Sequence, residues 1–132
     1  MCIFCKIINK EIPSYKIYED DRFLAFLDIS QATVGHTLVI PKQHFQNIFE
    51  LDEKTAQDIF TLVASLACKL KQNLKIDDLN ILNNNGSLAG QTVNHFHIHL
   101  IPRYKNDNLT IKFANNKLSS EEFTKLVSTI TK

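Results

Sequence analysis

The chain has 132 residues, 44% of them hydrophobic, with 15 Lys and Arg against 14 Asp and Glu. That length suits one domain with a single core, and so small a net charge argues against a polyanion-binding surface, so nucleic acid is not the expected partner. No apolar run approaches the ~20 residues of a membrane span, and the first residues, Met-Cys-Ile-Phe-Cys-Lys, lack the layout of a signal peptide. The expectation is a cytoplasmic protein without a membrane partner. Its three cysteines are then reduced thiols, metal ligands or redox groups, not disulfide partners.

Cys2 and Cys5 form a C-x-x-C at the start. Redox use of that motif calls for a preceding strand, and residue 2 has none. Zinc needs two further ligands from a distant segment, and the histidines offer them. Ile12-Pro13-Ser14 is a turn signal. Residues 15–18 and 23–27 then read as a hairpin around the polar Glu19-Asp20-Asp21-Arg22. Asp28 ends the second strand, where a carboxylate either caps a solvated turn or grips ligand hydroxyls; the residues alone favour the turn. Residues 36–41 read as a third strand closed by Pro41, followed by Lys42, Gln43 and His44. Asp52 suits the N-cap of a helix running to Leu74. Its stripe is Ala56, Ile59, Phe60, Val63, Leu66, Ala67 and Leu70, with Cys68 as a small packing residue.

Residues 79–82 read as a short strand, and Asn83-Asn84-Asn85-Gly86 as a turn. The next strand carries His95, His97 and His99 at strict alternation. On a strand they share a face, with neighbours about 6.6–7 Å apart. Phe96, Ile98 and Leu100 face the core, and Pro102 closes the strand. Residues 109–113 suggest a peripheral strand. A last helix opens with a capping box of Ser119 and Glu122 and a staple of Leu118 and Phe123. Its apolar stripe is Phe123, Leu126, Val127 and Ile130. Together these elements describe an α+β domain with a largely antiparallel five-stranded sheet and helices packed on one face.

The alternating histidines support two chemistries. Two of them at i and i+2 can ligate zinc, and an open fourth position makes a hydrolase. Alternatively, neutral imidazole attacks phosphorus and forms a labile phosphorus–nitrogen bond, while a second histidine stabilises charge or handles the leaving group's proton. Spacing leaves both open.

Gln91-x-Val93-x-His95-x-His97-x-His99 resembles the signature of the histidine triad (HIT) superfamily. Leu24-Ala25-Phe26-Leu27-Asp28-Ile29 and Gly35-His36-x-Leu38-Val39-Ile40-Pro41-Lys42-x-His44 resemble its other blocks, and the Cys2/Cys5 start resembles its zinc-binding bacterial members. The resemblance spans residues 2–103 of a single domain, 1–132, and carries nothing into the variable segment 104–132. It implies His97 as the nucleophile, His99 as the partner at the phosphoryl oxygens and His36 as a fourth histidine beside them. It also implies Asp28 at the ribose hydroxyls, Phe26 and Ile29 as walls of the base pocket, and Asn84, Gly90, Gln91 and Thr92 on the phosphate side. The implied structural Zn²⁺ ligands are Cys2, Cys5, His44 and His95. The nearest branch hydrolyses purine nucleoside 5′-phosphoramidates through a nucleotidyl-histidine intermediate. Dinucleoside polyphosphate hydrolysis, a nucleotide-binding or scaffolding role with incidental activity, and an open-zinc metallohydrolase are the alternatives. Small members of the family are typically homodimers.

Overall fold

Phe23-Leu24-Ala25-Phe26-Leu27 and Thr37-Leu38-Val39-Ile40-Pro41 have no charged face, so a strand made of either must be covered on both sides. A computed structural model describes residues 2–132 and meets that demand. Its helices are α1 (Ile3–Ile8), α2 (Glu53–Leu74) and α3 (Ser120–Ile130). Its strands are β1 (Lys16–Glu19), β2 (Phe23–Leu27), β3 (Thr37–Pro41), β4 (Asp78–Leu82) and β5 (Ile98–Arg103). The five strands form one sheet in the order β1-β2-β3-β5-β4, with every neighbouring pair antiparallel. The α+β class and the five-stranded antiparallel sheet are those implied by the sequence.

The pleat sorts alternate residues of β2 and β3 into two cores. Phe23, Ala25, Val39, Ile98 and Leu100 pack with Ile59, Val63 and Leu66 of α2. Leu24, Phe26, Leu38 and Ile40 pack with Phe4, Ile7 and Ile8 of α1. The helices therefore lie on both faces, which corrects the one-face expectation. The short α1, absent from the sequence reading, covers the second face. The Asp52 carboxylate accepts the Thr55 N–H at 3.0 Å and caps α2. Lys75 then ends α2 in the left-handed region at φ 55°. Gly35 precedes β3 at φ +98°, and a Cβ there would come 2.6 Å from Leu74 Cδ1. The Leu74 methyl could give way to such a Cβ, but the positive φ itself strains any other residue there.

Four further expectations need correction. The ladder of β5 begins at Ile98, so His95 and His97 precede the strand instead of lying in it. Their backbone bonds go elsewhere: the Phe96 N–H to the Phe45 carbonyl at 2.7 Å, and the His97 carbonyl to the Asn83 side chain. Pro102 does not close the strand but pairs with Leu79 inside it. The β3 ladder has already ended at Leu100, so a residue without an N–H is tolerated there. Residues 109–113 join no ladder. Cys68 is exposed, because its position on α2 falls outside the buried line of Ile59, Val63 and Leu66. The capping box of α3 forms as read, yet every residue of that helix is exposed, including Phe123, Leu126, Val127 and Ile130.

Candidate active site

Three histidine rings meet where β3 and β5 run side by side. Leu38 pairs with His99 in the ladder, and His36 sits just before β3. His36 Nε2 lies 2.8 Å from His99 Nδ1. The His97 and His99 ring centroids are 4.9 Å apart. Phe4 of α1 meets His97 edge-on at 5.1 Å, and Phe26 at 5.6 Å, so the site is floored by the second core. His97 is only 4% exposed.

Backbone groups assign the protons on these rings. The Ala32 N–H donates to His36 Nδ1 at 3.1 Å, so neutral His36 carries its proton on Nε2. That proton points at His99 Nδ1, which must accept it, and His99 therefore keeps its own proton on Nε2. The His97 Nδ1–H donates to the His95 carbonyl at 2.7 Å, which leaves His97 Nε2 as a bare lone pair. Burial lowers the pKa of all three rings. For His99, burial and then the neighbouring His97 and His36 push it down to about 4. Near neutral pH the cluster is thus uncharged, with one open lone pair and one open N–H.

Asp28 directly follows β2. Its Oδ1 accepts the Ser30 N–H at 2.8 Å, as a turn residue would, while Oδ2 stands 3.7 Å from His36 Nε2. Asp28, His36 and His99 bring their ligand atoms within 4.8 Å of one another. That group is a poor metal site, because the Ala32 N–H occupies one lone pair of His36 and the proton the other. A second cluster differs. The donor atoms of Cys2, Cys5, His44 and His95 also lie within 4.8 Å of one another. Each sulfur is 3.6 Å from His95 Nδ1; Cys5 Sγ is 3.5 Å from His44 Nδ1, and the two Nδ1 atoms are 3.1 Å apart. A tetrahedral zinc with Zn–S of about 2.3 Å and Zn–N of about 2.0–2.1 Å has S···N edges of about 3.5 Å, so the donor set fits that ion. The His95 Nε2–H donates to the Pro41 carbonyl at 2.8 Å, which turns the Nδ1 lone pair toward the sulfurs. Burial, and then Cys2 beside it, raise the Cys5 thiol pKa, a cost that a bound cation removes.

The HIT domain model matches residues 9–106. The chain belongs to the HIT family. Protein hit of Bacillus subtilis (strain 168) is 54% identical over 103 residues, covering 78% of this chain and 71% of its own length. The protein named adenosine 5′-monophosphoramidase hnt1 from Schizosaccharomyces pombe is 39% identical over 122 residues, covering 92% and 89%. A crystal structure of a Streptococcus mutans UA159 protein superposes with a TM-score of 0.94 at 47% identity, covering 98% of this chain and 83% of that one.

In this HIT protein the remaining expected binding residues fall in two places. Ile29 is 86% exposed beyond β2, whereas Phe26 is buried beneath the histidines. Asn84, Gly90, Gln91 and Thr92 lie on the loop before the triad. Asn84 Nδ2 donates to the Gly90 carbonyl at 3.4 Å, and Thr92 is exposed. The Gln91 amide is fully engaged: it donates to the Gln46 and Val93 carbonyls and accepts the Gly86 N–H, at 2.7, 3.0 and 2.8 Å. Its side chain braces the loop. Sequence reading did not single out Gln31, whose Oε1 accepts the Gly35 and His36 N–H groups at 2.7 and 3.1 Å. Nor did it find Phe4 as the floor of the site; its place in a C-x-x-C drew attention to the cysteines alone.

Proposed function

We propose that this HIT protein is a hydrolase of purine nucleoside 5′-phosphoramidates, working through a nucleotidyl-His97 intermediate. The observation that carries the reading is the bare Nε2 of His97, fixed by the Nδ1–H bond to the His95 carbonyl. His97 Nε2 attacks the α-phosphorus, and the phosphorus–nitrogen bond to the leaving amine breaks as the bond to His97 forms. The amine departs with a proton drawn from solvent; water then attacks phosphorus, breaks its bond to His97 Nε2, gives a proton back to solvent and releases the nucleoside monophosphate. The His99 Nε2–H is the ring donor left open for a phosphoryl oxygen. Asp28 would accept the ribose hydroxyls, while Ile29 and Phe26 would wall the base, an apolar contact that tolerates more than one purine. The name of the Schizosaccharomyces pombe relative supports this substrate class.

Cys2, Cys5, His44 and His95 would hold a structural Zn²⁺. With all four positions taken by protein, that ion would tie the N-terminus to the segment aiming His97, not activate water. The protein would act in the cytoplasm as a homodimer. β4 is an outer strand of the sheet, with Ile81 and Leu82 exposed, and α3 carries an apolar stripe that its own chain leaves uncovered. Both surfaces invite a second copy. The test of the activity is incubation with adenosine 5′-monophosphoramidate. AMP should accumulate with wild type and fall at least about 10³-fold with His97→Ala. AMP release by that variant at the wild-type rate would overturn the reading.

A further inference from the structure

The β4–β5 ladder ends at the pair Leu82 and His99, one residue short of Asn83. From there side chains take over the bonding. Asn83 Nδ2–H donates to the His97 carbonyl at 2.8 Å. Asn83 Oδ1 accepts from Asn85 Nδ2 at 2.6 Å, and Asn85 Oδ1 accepts the Ile48 N–H at 2.7 Å. The far end of this chain is anchored independently. Residues 44–48 are stitched to the histidine segment by the Phe45 carbonyl, which takes the Phe96 N–H at 2.7 Å, and by the Gln46 carbonyl, which takes the Gln91 amide.

His97 is therefore held at two points. Its ring is fixed to the His95 carbonyl behind it, and its own carbonyl is fixed by Asn83. The ring bond works only while the peptide at residue 97 keeps its orientation, because His97 lies before the ladder begins and has no strand partner to hold it. We propose that Asn83 and Asn85 are positioning residues for His97: in series, they fix its peptide so that Nδ1–H stays on the His95 carbonyl and Nε2 stays aimed. The catalytic part of this proposal rests on the reading of His97 as nucleophile. Neither amide touches substrate or the reacting atoms. Their effect belongs in kcat, since a small displacement of the attacking atom costs rate without weakening nucleotide binding.

The test uses the full metal-loaded chain with Asn83→Ala, Asn83→Leu, Asn85→Ala and the double variant N83A/N85A. Asn83→Leu keeps the branched shape and the number of side-chain heavy atoms while removing the donor, in case the smaller side chain unsettles the loop. With adenosine 5′-monophosphoramidate, both Asn83 variants should lose about 10- to 100-fold in kcat, with KM within about twofold. The double variant should be no slower than Asn83→Ala, because two links in one series fail together. A substrate-free readout is the ¹⁵N spectrum of the His97 ring. Wild type should show the single Nδ1–H tautomer, and the Asn83 variants a tautomer mixture. An unchanged ring spectrum overturns the proposal whatever the rate does. So does an unchanged kcat per folded molecule, or a double variant slower by the product of the two effects. If wild type turns over no phosphoramidate, the functional reading fails separately and the ring spectrum alone decides the positioning role.

Discussion

At the scale of single residues, the histidine rings divide their protons according to backbone groups that have already oriented them. The Ala32 N–H and the His95 carbonyl are fixed points, and from them follow the tautomers of His36, His99 and His97. Burying neutral rings has a consequence for stability. The folded His99 pKa is about 4, against about 6.5 in an unfolded chain. Between those values the unfolded chain binds a proton that the folded one does not, so acid favours unfolding. The His99 contribution should lower Tm as pH falls from 6.5 to 4 and be flat outside that window. Its signature is a steeper Tm–pH slope in wild type than in His99→Gln; parallel slopes would contradict the shift. Asp28 gives a sharper test of binding. Asp28→Ala should weaken ribonucleotide binding about tenfold or more, and analogues lacking both ribose hydroxyls far less. Equal weakening of both would make Asp28 a turn residue only. The residue types of the site were legible in the alternation His95-x-His97-x-His99. The fixed points were not, because they are main-chain groups whose sequence position carries no side-chain signal.

At the scale of elements, the parts that the sequence reveals are those whose signals are local. Asp52, Ser119 and Glu122 announce helix starts through caps within one turn, and both caps form. The strand starting at Ile98 was harder to delimit. Alternation continues back to His95, but the bonds that end the ladder come from Asn83 and Phe45, 14 and 51 residues distant from their partners. Helix α1 escaped for a related reason: six residues are too few for a periodic signal, and the helix is held by Phe4, Ile7 and Ile8 packing on the sheet. The proposed metal, tying α1 to His44 and His95, would make that element the one most sensitive to metal loss. Cys5→Ala should lose zinc and lower Tm by about 10 °C, as read by metal analysis and calorimetry on the same sample. Full zinc content in that variant would remove Cys5 from the site.

At the scale of the whole molecule, the outer edge of β4 and the apolar stripe of α3 stand without a partner among the described residues. The outer edge of β4 presents unpaired backbone groups. An eleven-residue helix such as α3 is marginal in water unless its apolar face is covered. A homodimer would satisfy both. Light scattering should therefore give twice the 15.1 kDa chain mass, and F123S/L126S should shift the population toward the monomer. An unshifted mass would mean that the stripe on α3 lies outside the interface.

Covalent catalysis at His97 can be seen by intact mass spectrometry on rapidly quenched enzyme with adenosine 5′-monophosphoramidate. Wild type should carry an added adenylyl group that maps to His97 and is absent from His97→Ala. Turnover by the wild-type protein with no adduct at any quench time would mean direct attack by water and rule out a nucleotidyl-His97 intermediate.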